Sequence, residues 1–142
     1  EMRNASTGID GSYLLGEAGD LQIIFYSRYG VQNSQVNRIR YYISDNILYK
    51  GTTSPSGSPL AYNLSSETTQ PILSVIEGMT VAFYYYDSSY DGGSNSLAQP
   101  VNVNQVRFVK ISLSVPGKIN AQSTGTFTAT AGATIRSVKD NL

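Results

Sequence analysis

From Leu21 onward, apolar and polar residues alternate with a period of two over most of the chain. This is the spacing of strands with one face on a core, and no run keeps the 3.6-residue spacing of an amphipathic helix. "LQIIFYSRY" places Leu21, Ile23 and Phe25 on one face of a half-buried strand. "VNRIRYYIS" places Ile39, Tyr41 and Ile43 on one face and Arg38, Arg40 and Tyr42 on the other. Asp45-Asn46 then separates two apolar pairs, and both residue types tolerate positive φ, so a two-residue hairpin into "ILYKG" is expected. "TTSPSGSP" has the composition of a loop, and "LSSETTQP" reads as an irregular connection ending at Pro71.

"MTVAFYYYD" resumes the alternation, with Met79, Val81, Phe83 and Tyr85 against Thr80, Ala82, Tyr84 and Tyr86. A polar loop from Asp87 to Pro100 follows. "VNQVRFVKISLSV" and "TFTATAGATIR" alternate again and are expected to pair as an antiparallel hairpin. The start is the exception. "EMRNAS" holds good helix formers and soon reaches Gly8, so it reads as the last turn of a helix whose support lies elsewhere. The expected fold is therefore mainly β, a single globular unit over residues 1–142.

Composition narrows the chemistry. The chain has 142 residues, enough for one core, with 40% hydrophobic and only 14% charged side chains. Its surface is built from uncharged polar groups, a composition common outside the cytosol. Ten basic residues balance ten acidic ones, which removes the main driving term for non-specific nucleic-acid binding. Cysteine and histidine are both absent. Without them there is no disulfide, no Ser-His-Asp or Cys-His site and no histidine-ligated zinc, so no enzymatic activity is expected.

Three groups of residues could bear function. Tyr84 and Tyr86 share a strand face, as cross-strand packing or as anchors for a protein or glycan. Arg28, Arg38, Arg40 and Lys50 against Asp45 give the first hairpin region a charge of +3, four minus one. With Tyr42 interleaved, Arg38 and Arg40 could follow a nucleic-acid backbone, or they form a solvated strand face, the reading the balanced charge favours. Asp87, Asp91 and Asn95 lie four apart in a glycine-containing loop that could offer oxygens to calcium. Aspartates near "DGG" more commonly serve as turn residues, and no metal or cofactor is expected.

The order of these pieces resembles the minor pilins and pseudopilins of type IV pili and type II secretion systems, especially the J-type pseudopilin and PilW-like group. The resemblance rests on the series "EMRNA", "LQIIFYSRYG", "RIRYYISDNILYKG", "VIEGMTVAFYYYD", "VNQVRFVKISLSV" and "TFTATAGATIRSVKDNL" in that order. The family's cleavage motif, its first mature phenylalanine, the glutamate four positions on and the apolar helix are missing. The resemblance implies that the full-length protein is α+β, with antiparallel sheets packed on a long N-terminal helix. Residues 1–7 would be the end of that helix, and Met2 and Ala5 its assembly contacts. It further implies a non-enzymatic subunit that helps assemble, initiate or cap a filament. Its partners would be other minor and major pilins, the inner-membrane assembly machinery, and the membrane through the missing helix. The head would be periplasmic or extracellular in the cell envelope, then at the cell surface in the filament. The alternative is a β-sandwich module that binds glycan or protein at a cell surface.

Overall fold

Asp45 and Asn46 both adopt positive φ, 49° and 58°, and close a two-residue hairpin in which Ser44 faces Ile47. A computed structural model describes residues 1–28, 35–120 and 123–135. The hairpin lies within a five-stranded antiparallel sheet of β1 (Leu15–Ala18), β2 (Gln22–Ser27), β3 (Asn37–Ser44), β4 (Ile47–Thr53) and β5 (Thr68–Ser74), in that spatial order. A second antiparallel sheet holds β6 (Thr80–Tyr86), β7 (Phe108–Asn120) and β8 (Ser123–Thr134), again in chain order. Both sheets are meanders, in which each strand pairs with its neighbour in sequence.

Alternation decides which faces are buried together. Ile23, Phe25, Ile39 and Leu48 of the first sheet share one core with Val81, Phe83, Tyr85 and Val109 of the second. Ala5, Leu14, Leu15, Val106 and Ile135 close its margins. The Tyr85 hydroxyl is buried and donates to the carbonyl oxygen of Gly19 at 2.7 Å, so a polar tip is satisfied where β6 meets the β1–β2 turn. Burial, with Asp20 and Glu17 nearby, pushes this phenol well above its usual range.

Four expectations need correction. β2 is buried on both faces rather than half-buried, because Tyr62 of the 54–67 loop packs on Tyr26, ring centroids 5.2 Å apart, and Ile24 is covered beside β1. Leu21 lies outside the strand and is exposed. The segment ending at Pro71 is a 3-10 turn at Leu64–Ser66 followed by strand β5, whose side chains are exposed except for Leu73. An edge strand tolerates the proline because that N–H has no required partner. Finally, residues 1–7 hold one 3-10 turn, Met2–Asn4, rather than an α-helical end. Ala5 is already extended and bridges Ser27, so pairing with β2 prevails over a turn too short to sustain itself.

Candidate functional site

The N-terminal segment is tied to the first sheet at β2. The Ser6 N–H donates to the Tyr26 carbonyl at 2.9 Å on β2, and the Ser27 hydroxyl donates to the Glu1 carbonyl at 3.1 Å. The Glu1 carboxylate receives the Tyr41 hydroxyl of β3 at 2.7 Å and pairs with the Lys50 ammonium of β4. From Ser6 back to Glu1 the backbone therefore stays beside β2, where Ser27 bonds to the Glu1 and Asn4 carbonyls, and only the Glu1 side chain reaches on to β3 and β4. Burial works against ionisation of Glu1, but the hydrogen bonds from Lys50 and Tyr41 outweigh it and hold its pKa below the ordinary value. Burial and the same carboxylate push the Tyr41 phenol upward.

Between the sheets beside this segment lies an apolar cavity of about 340 Å³, with Met2, Tyr41, Leu48 and Ile72 on one side and Ile111 and Ala131 on the other. A second cavity, about 260 Å³, shares Leu48, Ile111 and Ala131 with it and adds Leu73, Leu113 and Ala129. Together they form one cleft that is open to solvent where Ile72 is half exposed and Ala129 and Ala131 are exposed. A bulge shapes the wall. Leu48 faces Leu73 but Tyr49 faces Pro71, so Ile72 is the extra residue and both Ile72 and Leu73 line the cleft. The only sequence signal for this was the adjacent apolar pair after Pro71, which alternation alone does not flag.

Of the residues singled out in the sequence, Met2 lines the cleft and Ala5 is buried beside it. Arg38, Arg40 and Tyr42 occupy the opposite face of the first sheet. Arg38 lies 3.2 Å and Arg40 2.5 Å from the Glu67 carboxylate, which is itself largely buried. Arg40 also reaches Gln22 Oε1 at 3.2 Å and stacks 3.7 Å over the Tyr42 ring, which in turn stacks on Tyr49. These arginines are held by Glu67 as it folds over the sheet, so the +3 of the hairpin region overstates its free positive charge. Glu67, in a stretch read as loop, carried no signal of its own, because its partners lie 27 and 29 residues away.

Tyr84 and Tyr86 share the outer face of β6 but differ in environment. Tyr84 is 37% exposed, whereas Tyr86 is 4% exposed under Tyr90, with ring centroids 4.0 Å apart. Phe108 completes this cluster, 4.9 Å from Tyr90, and the Lys110 ammonium lies between the Tyr84 and Tyr86 rings at 5.5 and 5.2 Å. In the following loop, Asp87 Oδ1 accepts from the Ser89 N–H and hydroxyl, and Asp91 Oδ1 accepts from Ser94 and the Gly93 N–H. The Ser94 hydroxyl, followed by these backbone donors, lowers the Asp91 pKa to about 2. These are turn-forming bonds. No group of three or more metal-ligating side chains gathers among the described residues.

The fold and the cleft define a two-sheet antiparallel β protein with an open apolar seam beside its N-terminal segment. No family model, no curated protein and no solved structure matches the chain.

Proposed function

We propose that this chain is the head of a minor pilin or pseudopilin, a non-enzymatic subunit that helps assemble, initiate or cap a type IV pilus or type II secretion pseudopilus. The observation that carries this reading is the open apolar cleft beside Glu1–Ala5. A cleft walled by Leu48, Ile72, Leu73, Ile111 and Leu113 costs free energy while water fills it, at roughly 25 cal/mol for each Å² of apolar surface left wet. Met2 of the N-terminal segment lines this cleft, and the Glu1 side chain reaches Tyr41 of β3 and Lys50 of β4 beside it. On this reading an apolar helix precedes Glu1, its last turns lie over the cleft, and its first half anchors the head in the inner membrane before entering the filament. The ordered series of sequence pieces given above supports the same assignment.

Deleting the gene from its host should lower filament number by electron microscopy, or lower filament-dependent secretion. The 142-residue chain alone should fail to restore either, and the chain behind an apolar pilin helix should restore it. Unchanged filaments and secretion in the deletion strain, or rescue by the isolated head, would overturn the proposal in favour of a surface-binding module.

A further inference from the structure

The two sheets have four edges, and three of them are blunted. β1 is only four residues long. β5 carries Pro71 and the bulge at Ile72. β6 is capped from outside, because its Phe83 N–H donates to the Asp20 carbonyl and its Tyr85 carbonyl accepts from the Leu97 N–H. Natural sheets use these devices to keep edges from pairing with other chains.

β8 has none of them from Ser123 to Thr130; only toward its end does the Met2–Asn4 turn pack against it, where Met2 lines the cleft with Ala131, Gly132 and Ala133. From Ser123 to Thr134 it carries no charge and no proline, and among the described residues its backbone bonds only to β7. The β7–β8 hairpin also outruns β6, whose pairing stops at Thr80 opposite Ser114. On the other side of this protruding arm β7 is blunted by Pro116. The open edge is therefore specific to β8, and Phe127 stands on it 59% exposed.

We infer that the β8 edge pairs with β8 of a second copy of this chain, antiparallel about a two-fold axis at Thr128, joining two three-stranded sheets into one of six strands. Three features select a second copy. The strand is uncharged and the chain has no net charge, so identical edges meet without repulsion. Threonines occupy positions 124, 126, 128 and 130, while Gly125, Phe127, Ala129 and Ala131 occupy the others. A two-fold axis through a residue pairs even positions with even and odd with odd, so both faces continue across the junction. Centring on Thr128 sets Phe127 against the partner's Ala129 twice, a large side chain over a small one, and sets Thr126 against the partner's Thr130. Backbone hydrogen bonds supply the affinity and this alternation supplies the register.

The test is sedimentation of the 142-residue chain from about 1 μM to about 1 mM, with melting curves to check folding. Dimer should grow with concentration, and amide hydrogen exchange should slow over residues 126–130, the stretch centred on Thr128, in step with it. Thr126 and Thr130 are exposed and face Pro116 and Ser112 within the chain, so charges there leave the fold intact. Thr126→Lys/Thr130→Lys places like charges opposite each other and should abolish dimer. Thr126→Lys/Thr130→Glu places opposite charges there and should restore it to within about tenfold of the parent. A parent that stays monomeric throughout, or a dimer indifferent to the lysine pair, would overturn the inference. Equal loss in both double variants would overturn the register and with it the proposed pairing.

Discussion

Glu67 and Gly51 act as one device. A Cβ built on Gly51 would lie 2.5 Å from the Glu67 carboxyl carbon, so the absence of a side chain at 51 is what lets the carboxylate settle between Arg38 and Arg40. Glu67→Gln should cost about 1–3 kcal/mol in urea unfolding, because it leaves two part-buried guanidiniums short of their acceptor. Gly51→Ala should cost a similar amount by evicting the same carboxylate. The double variant should then cost clearly less than the two singles together, since both remove one interaction. Full additivity would mean that Gly51 matters for its backbone alone. At this scale the sequence was legible where the determinant is local. Asp45-Asn46 announces its turn through positive φ, whereas Arg38 and Arg40 read as a charged face because Glu67 reaches them only through the fold.

At the scale of elements, strands that alternate were legible and strands that do not were missed. β3, β6, β7 and β8 each put one face on a core or cleft, so period two marks them. β5 buries almost nothing and β1 has four residues, so neither carries a period to detect. β6 yields a sharper expectation than alternation allowed. Tyr84 and Tyr86 look equivalent in sequence, but only Tyr86 sits beneath Tyr90 and beside Phe108. Tyr86→Ala should cost about 3 kcal/mol and Tyr84→Ala less than about 1 kcal/mol in thermal melts. Equal losses would show that Tyr90 does not shield its neighbour in solution.

For the whole molecule, the fold class was readable, but the cleft was not, since it depends on how two sheets face each other and on a single bulge. Stability should fall at both ends of the pH scale. Glu1, Asp10, Asp87 and Asp91 all have depressed pKa values, so their contributions are present above the ordinary carboxylate values of 4.5 and 3.8 and are lost as pH falls through the lower folded values. Tyr41 and Tyr85 are raised above 10.0, so their contributions are complete below that pH and are lost as it rises further. Melting temperatures should therefore hold between about pH 5 and 9 and drop on either side. Tyr85→Phe should flatten part of the alkaline drop, and an unchanged alkaline limb in that variant would place the effect elsewhere.

The bonds that tie the N-terminal segment to β2, and its Glu1 side chain to β3 and β4, also set how the molecule would carry a mechanical load. A pull applied at Glu1 divides at once among the Lys50 ion pair on β4, the Tyr41 hydroxyl on β3 and the backbone bonds of Ala5 and Ser6 on β2. Three adjacent strands of one meander share the tension, while β6 and β7 lie off the line of force and β8 meets it only through apolar packing with the Met2–Asn4 turn. Under stretching from that end the first sheet would bear the strain, and the second would ride along as cargo until the tether at β2 gives way.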